Sequence, residues 1–172
     1  MAKKMAILAE ADYEDPELWY PLLRLKEAGH EVIVVGTGSA GSYLSKHGYE
    51  VRVDVPVASA IPDEFDGVII PGGWAPDRLR RYPLVNGFVR KMFEDGKVVA
   101  SICHGGSVLV SAGILKGRRV TSVSAIKDDL INAGAMFKDE EVVVDRNLIT
   151  SRRPSDLPAF MREVLKRLEE RT

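Results

Sequence analysis

The sequence predicts one doubly wound α/β domain, in which a mostly parallel sheet is covered by helices on both faces. Two patterns predict this class: short, continuously apolar strands, and amphipathic helices that alternate with them along the chain. The 172 residues are enough to bury a substantial core in a single unit, 1–172. No internal repeat, linker or low-complexity segment divides the sequence.

Apolar runs in the first half mark three buried strands, which are Met5–Ala9, Glu31–Val35 and Gly67–Pro71. The first two flank a helix, for which Asp15 is a good N-cap, Pro16 suits the first helical position and Gly29 is the stop. A small hairpin is predicted from two short runs around His47-Gly48, which are Tyr43–Leu44 and Tyr49–Val53.

The second half continues the alternation, and glycines end several of its helices. The predicted helices are a short segment opened by Pro76, then Pro83–Asp95, Gly106–Ala112, Ile126–Ala133 and Ser155–Glu170. The predicted strands are Val98–Ile102, Arg119–Val123, Val142–Val144 and Leu148–Thr150. The turn residues Asp145-Arg146-Asn147 join the last two strands into a hairpin.

Composition excludes several classes of partner. The net charge is -1 and no basic stripe is present, which argues against nucleic acid. The apolar stretch near the N-terminus is too short for a membrane span or a signal peptide. Cys103 is the only cysteine and cannot form an internal disulfide, so we expect the protein to be located in the reducing cytoplasm. His30 and His47 show no ligand spacing with it, so neither a metal nor another cofactor is expected.

A glycine-rich segment, GTGSAG at 36–41, follows a predicted strand and matches the dinucleotide-binding pattern G-x-G-x-x-G. That pattern requires a helix whose N-terminus meets the pyrophosphate. Here only a few residues separate the motif from Gly48, which leaves too little room for a helix. We therefore interpret the segment as a loop.

The candidate nucleophile is Cys103, which directly follows the strand Val98–Ile102 and precedes a predicted helix. Ligands of open α/β sheets bind beyond the carboxyl ends of the strands, and a sharp turn there exposes a nucleophile. Gly105 and Gly106 permit such a turn, and His104 supplies a base or a cation. A buried structural cysteine is the alternative, but strand end, glycines, histidine and helix start together favour a reactive thiol of low pKa.

The ends of other strands supply further candidates. With Asp15 assigned to helix capping, Glu14 is available to point toward the sheet edge, unless it is simply an acid near a helix N-terminus. The amides of Gly72-Gly73 offer a place for a developing oxyanion, together with an amide near Cys103, unless they form an ordinary tight turn.

Six segments carry a resemblance to a known family over nearly the whole chain: YED (13–15), KHGY (46–49), PGG-x-AP (71–76), SICHGG (101–106), IKDDLINAG (126–134) and SRRPSDLPAFMRE (151–163). Together they resemble the PfpI family of intracellular cysteine peptidases, within the Parkinsonism-associated deglycase superfamily. The resemblance implies a flavodoxin-like fold, a Cys103–His104 pair and a buried acid at Glu14. It also implies dimers or hexamers, in which Asp77 of a neighbouring subunit completes a Cys-His-acid triad.

These inferences predict a cytoplasmic cysteine hydrolase of the PfpI type. Cys103 attacks a carbonyl carbon, His104 moves the proton, Glu14 hydrogen-bonds the sulfur, and the Gly73 and His104 amides hold the oxyanion. Peptide hydrolysis and the deglycase or glyoxalase chemistry of methylglyoxal-type adducts both remain open, as does pairing of Asp77 with Arg80 or Arg81 instead of His104. The alternative class is a non-enzymatic redox or stress-response protein with Cys103 as an oxidation sensor.

Overall fold

The structure, a computed structural model, describes residues 1–170, so the last two residues of the predicted unit 1–172 lie outside it. The helices are α1 Asp15–Glu27, α2 Ala75–Leu79, α3 Pro83–Glu94, α4 Gly106–Ala112, α5 Lys127–Asn132 and α6 Leu157–Glu169. The strands are β1 Lys4–Ala9, β2 Glu31–Gly36, β3 Ser42–Leu44, β4 Glu50–Arg52, β5 Val55–Pro56, β6 Gly67–Ile70, β7 Val98–Ile102, β8 Arg119–Val120, β9 Met136–Phe137, β10 Val142–Asp145 and β11 Leu148–Ser151.

The described chain folds around a seven-stranded sheet in the order β10-β11-β7-β6-β1-β2-β5. Neighbouring strands are parallel except at the edge, where β10 runs antiparallel to β11. Helices α1 and α6 pack against each other, as do α3 and α4, and both pairs pack on the sheet. This is the mostly parallel, flavodoxin-like α/β class that the sequence predicted.

The central strands are apolar throughout because both of their faces are covered. Every residue of β6 and β7 is buried, and in β1 only Lys4 is partly exposed. Parallel strands place their carboxyl ends at one edge of the sheet. The segments that follow β1, β6 and β7 therefore meet there, since β6 is hydrogen-bonded to both of the other strands.

Three details of the predicted elements are wrong. The predicted strand Arg119–Val123 stops at Val120, because the next amide, that of Thr121, donates to the Thr150 hydroxyl (2.9 Å) instead of a strand backbone. The strands β5 and β9 were not predicted, since two residues carry no periodic signal. Asp15 does not cap α1: it is the first helical residue, and its carboxylate accepts from the Ser45 hydroxyl (2.6 Å) and contacts His47 Nδ1 (2.7 Å).

Gly36 of the GTGSAG segment ends β2, and residues 37–41 form the loop that leads to β3; as the sequence predicted, no helix begins within the segment. Its hydroxyl groups bind the buried Glu10 carboxylate, which accepts from Thr37 and from Ser39 Oγ (3.0 Å). The hydroxyl groups of the loop therefore already have a hydrogen-bond partner within the protein. Across residues 1–170, no helix is both long and apolar enough to pass through a membrane.

Candidate active site

Cys103 lies at the sharp turn that the sequence predicted between β7 and α4. Its backbone has φ of 59°, in the left-handed region that costs a side-chain-bearing residue about 1–2 kcal/mol. A single 3-10 turn, Cys103–Gly105, then leads into α4. Gly105 permits this approach, because a Cβ there would press against the Ile70 carbonyl oxygen. The turn holds the half-buried thiol at the carboxyl edge of the sheet.

His104 faces the sulfur in spite of being its sequence neighbour. Its Nδ1 lies 3.4 Å from Cys103 Sγ, within hydrogen-bonding distance for sulfur. Burial, followed by the positive charge of Lys46, holds the pKa of the imidazole below its ordinary value of 6.5. The ring is therefore neutral near pH 7, and a neutral ring can accept a proton from the thiol.

The acid at the sulfur is Glu17, not the predicted Glu14. Glu17 is fully buried, its Oε2 accepts from the Gly72 amide (2.8 Å), and its carboxyl makes a hydrogen bond with Cys103. Burial raises the pKa of this carboxyl to about 7. The other oxygen, Oε1, is buried and has no hydrogen-bond partner among the described residues, which disfavours the ionised form of this carboxyl.

Glu14 instead lies at the N-cap position of α1, and its carboxylate pairs with a lysine at the surface. Its Oε2 accepts from Lys46 Nζ at 2.9 Å, and its side chain is 19% exposed. The geometry of α1 explains why Glu17 reaches the sulfur and Glu14 does not, since Glu17 lies almost one turn further along the helix and faces the core. Lys46, which sequence reasoning noted only within the KHGY segment, lies over the Trp74 ring (5.7 Å) and interacts electrostatically with Cys103.

Two backbone amides converge on the sulfur, and they are those of Gly73 and His104. The Gly73 amide is held in place from both sides: Trp74 N donates to Asp12 O (2.9 Å), and Glu14 N donates to Gly72 O (3.2 Å). Gly73 has φ of 81°, which favours glycine. The two amides predicted for an oxyanion therefore both lie at Cys103.

The predicted low pKa of the thiol is wrong for this buried site. Burial raises the pKa of Cys103 to about 12, and the Glu17 carboxylate is the second cause. The two amides oppose this rise but do not overcome it. Because a protonated Glu17 removes the repulsion and can donate to sulfur, the thiolate is favoured only while Glu17 keeps its proton.

A pocket of about 420 Å³ opens beside His104, between α2 and the start of α4. Asp77 lines it, but within one chain its carboxylate pairs with Arg81, and its side chain is 64% exposed. Pairing with an arginine was the alternative to pairing with His104 that the sequence left open, and within one chain the arginine is Arg81. Trp74, which also lines the pocket, lies 5.7 Å from the His104 ring, centroid to centroid.

A group of potential metal ligands, absent from the sequence prediction, lies next to Lys46. Glu14, Asp15 and His47 each bring one ligand atom within 4.8 Å of the others. Local partners account for the group, because Lys46 neutralises Glu14 while Asp15 bonds Ser45 and His47. We assign no metal to it.

Fold and site together define a doubly wound α/β protein with a cysteine at a strand-to-helix turn, flanked by a histidine and a buried acid. The family model described as DJ-1/PfpI matches residues 3–167, and the chain belongs to this family. Deglycase TK1284 of Thermococcus kodakarensis is 52% identical over 165 residues, covering 96% of this chain and 99% of that protein. Deglycase PfpI of Pyrococcus furiosus is 50% identical over 166 residues, with the same coverage of 96% and 99%.

Solved structures agree with the fold. A two-domain protein from Anabaena variabilis, containing DJ-1/ThiJ/PfpI-like and ferritin-like domains, is 46% identical with a TM-score of 0.95. The match covers 97% of this chain and 48% of that protein, so this chain spans about half its length. Drosophila melanogaster DJ-1beta is 27% identical with a TM-score of 0.90, covering 99% of this chain and 95% of that one.

Proposed function

We propose that this chain is a cysteine-dependent hydrolase of the PfpI type, acting first as a deglycase on methylglyoxal-type adducts. The names of the relatives at about half identity support deglycase chemistry. The observation that carries the proposal is the convergence of His104, the Glu17 carboxyl and two amides on Cys103. Peptide hydrolysis is the second chemistry, since it also begins with attack of sulfur on a carbonyl carbon.

The first step needs a proton transfer from sulfur to nitrogen. The pKa of the Cys103 thiol is high and that of the imidazole is low, so the resting pair is a neutral thiol beside a neutral ring. His104 takes the proton as the sulfur–carbon bond forms. The Gly73 amide and the amide of His104 itself lie where negative charge develops, and they stabilise it.

Glu17 assists this step as a hydrogen-bond donor. A protonated carboxyl donates to the sulfur as it gains charge, whereas a carboxylate would repel it. Its raised pKa, about 7, keeps it protonated over the acidic and neutral range.

With a peptide, the tetrahedral intermediate collapses to a thioester of Cys103 as the carbon–nitrogen bond breaks and the amine leaves with a proton. With a methylglyoxal-type adduct the amine also leaves, and the hydrogen of the attacked carbon moves to the neighbouring keto carbon, so that one carbon is oxidised and the other reduced and a hydroxyacyl thioester forms without an external oxidant. Water then attacks either thioester, which releases a carboxylate and a proton and restores the thiol.

The proposal extends to assembly and location. We place the enzyme in the cytoplasm as a homo-oligomer, a dimer or a hexamer, in which Asp77 of a neighbouring subunit orients His104. The support is that Asp77 and His104 line one open pocket and that Trp74, 58% exposed, lies at its rim. Mixing inactive Cys103→Ser subunits with inactive Asp77→Ala subunits should then restore activity; full activity of Asp77→Ala alone would exclude the shared site.

The test of function supplies methylglyoxal, a methylglyoxal-modified amino acid and an unfolded peptide to the purified protein in parallel. Turnover of the adduct without peptide cleavage supports the deglycase, and cleavage alone selects the peptidase. Cys103→Ser should lower either rate below about a tenth of the parent rate, because a serine hydroxyl is a poor nucleophile. No turnover, together with rapid sulfinate formation at Cys103, would replace the enzyme with an oxidation sensor.

A further inference from the structure

The turn that carries Lys46 to the active site is held by a single carboxylate, that of Asp15 at the start of α1. The Ser45 hydroxyl donates to Asp15 Oδ1 at 2.6 Å. On the other side of the lysine, His47 Nδ1 lies 2.7 Å from Asp15 Oδ2. Both sequence neighbours of Lys46 are therefore fixed to the same side chain.

The Ser45 hydroxyl explains why its bond to Asp15 sets the shape of the turn. A serine hydroxyl has one hydrogen to donate and two lone pairs with which to accept. Its hydrogen goes to Asp15, and its lone pairs accept from the amides of His47 (3.1 Å) and Tyr49 (2.9 Å). Ser45 is only 4% exposed, so water does not readily replace a lost acceptor. Without Asp15 the hydroxyl has to rotate toward another acceptor, which weakens the two amide bonds that close the turn.

The group that this turn positions is the Lys46 ammonium. Its Nζ lies 5.7 Å from the centroid of the Trp74 ring, which in turn lies 5.7 Å from the His104 ring. The ammonium charge is one cause of the depressed pKa of His104, and it also interacts with Cys103. The Lys46 amide donates to Tyr13 O (3.0 Å), which fixes one point of the turn, whereas Asp15 fixes both sides of it. Because Coulomb interactions depend on distance, a displaced turn changes the field at the site.

We infer that Asp15 is a positioning residue of the active site, which sets the place of the Lys46 ammonium by fixing the turn around it. This gives the Asp15 carboxylate a role, since it does not cap α1. The inference rests on the proposed function in one respect, because it treats His104 as the base. It adds a group that acts on that base only through the lysine.

An NMR titration of the imidazole tests this without requiring turnover. The chain has three histidines, and the His104 signal is identified by its loss in His104→Gln. Asp15→Ala removes the acceptor, so the ammonium should move away and the pKa of His104 should rise. The direction is diagnostic, because the loss of a negative charge by itself would lower the pKa of a nearby imidazole.

The matched control is Asp15→Asn, which loses the same charge. Its amide oxygen still accepts from Ser45, and its NH₂ group can donate to Nδ1 of a neutral His47. We expect no rise in the pKa of His104 in this variant. Ser45→Ala changes no charge and should raise that pKa as Asp15→Ala does, so it serves as the test if Asp15→Ala fails to fold.

Lys46→Met measures the full effect of losing the ammonium. Asp15→Ala should reach at least about half of the rise in the His104 pKa that Lys46→Met produces. Adding Asp15→Ala to Lys46→Met should raise it no further, because two changes that act through one group are not additive.

An unchanged pKa of His104 in Asp15→Ala and Ser45→Ala would overturn the inference, even if both variants unfold more easily, because that is the result of a purely structural role. An unchanged pKa in Lys46→Met, or an equal rise in Asp15→Asn, would overturn it as well. A further rise in the double variant would show that Asp15 acts by another route and would also contradict the inference. The expected rises in a protein without turnover would support the positioning role and contradict the proposed hydrolase. Turnover with an unchanged pKa in Asp15→Ala and Ser45→Ala would do the reverse, so the two proposals fail separately.

Discussion

Replacing Glu17 with glutamine should stabilise the protein at alkaline pH while keeping its structure. Glutamine retains a carbonyl oxygen that accepts from the Gly72 amide, and its NH₂ group can donate to the sulfur as the protonated acid does. The substitution therefore resembles the protonated carboxyl. What it removes is the ionised form, which is poorly solvated at a fully buried position.

The size of this stabilisation follows from the pKa of Glu17. Burial raises the pKa of Glu17 from 4.5 to about 7, and each unit corresponds to about 1.4 kcal/mol, so ionisation costs roughly 3 kcal/mol of folding free energy. The protonated acid is the better bound form, so its contribution is complete below the unfolded pKa and is lost as pH rises through the folded pKa. Most of this loss falls between about pH 5 and pH 8.

The assay is denaturant unfolding of both proteins at about pH 5 and pH 8.5, at one protein concentration. The parent should lose about 2–3 kcal/mol more than Glu17→Gln across this range. Glu14→Gln is the control, because it makes the same chemical change at a carboxylate that is partly exposed and paired with Lys46. Parallel pH dependence in the parent and in Glu17→Gln would show that Glu17 is not protonated in the folded state, and the donor role would fall with it.

Three further predictions concern the same site. The pH–rate profile should fall on the acid side below pH 6.5 as His104 gains a proton, and near pH 7 on the alkaline side as Glu17 ionises, with Glu17→Gln abolishing only the alkaline limb; an unchanged limb would contradict the assignment. Lys46→Met should raise the His104 pKa, measured by NMR titration, because the Lys46 charge is one cause of its depression; no change would show that burial alone sets it. Gly72→Ala should lower activity at least about tenfold, since its Cβ would lie 2.7 Å from the cysteine Cβ, whereas Gly87→Ala, with open space at its Cβ, should not; equal rates would refute the packing argument.

The larger elements could be predicted because their burial leaves a direct trace in the sequence. Val98–Ile102 is predicted and observed with the same bounds, since a central parallel strand must be apolar on both faces. The helix Gly106–Ala112 is also recovered, because Gly113 adopts the left-handed conformation (φ of 72°) that ends it. Two-residue strands such as Val55–Pro56 depend on tertiary pairing and leave no such trace.

The position of the buried acid was missed although a signal was present. Glu17 falls in one helical row with Pro21 and Leu25, both buried, so a carboxylate lay on the apolar stripe of α1. The prediction of Glu14 depended instead on its position shortly after the end of β1. A charged residue in an otherwise apolar row was the better guide to a functional acid.

The pKa of the thiol could not be predicted from neighbours in sequence. A glycine turn and an adjacent histidine suggested a stabilised thiolate, but burial depends on how the sheet edge is covered. The presence of Lys46 at the site could not be predicted either, because it depends on the β3–β4 hairpin, which the Tyr13–Ser45 bridge attaches next to the site. Such effects arise between segments that are distant in the chain.

The same distance between segments has a consequence for the folding chain. Met5 pairs with Gly67, and Gly67 pairs with Val98, so the pieces of the site meet only after contacts of long sequence separation have formed. Contacts of this kind form slowly, because the entropy of closing long loops must be overcome first. An incomplete or misfolded chain therefore carries an ordinary thiol without its base, donor or amides. Before the sheet is complete, the exposed thiol keeps its ordinary pKa, so the finished fold both lowers the spontaneous ionisation of Cys103 and brings to it the groups that direct its reaction.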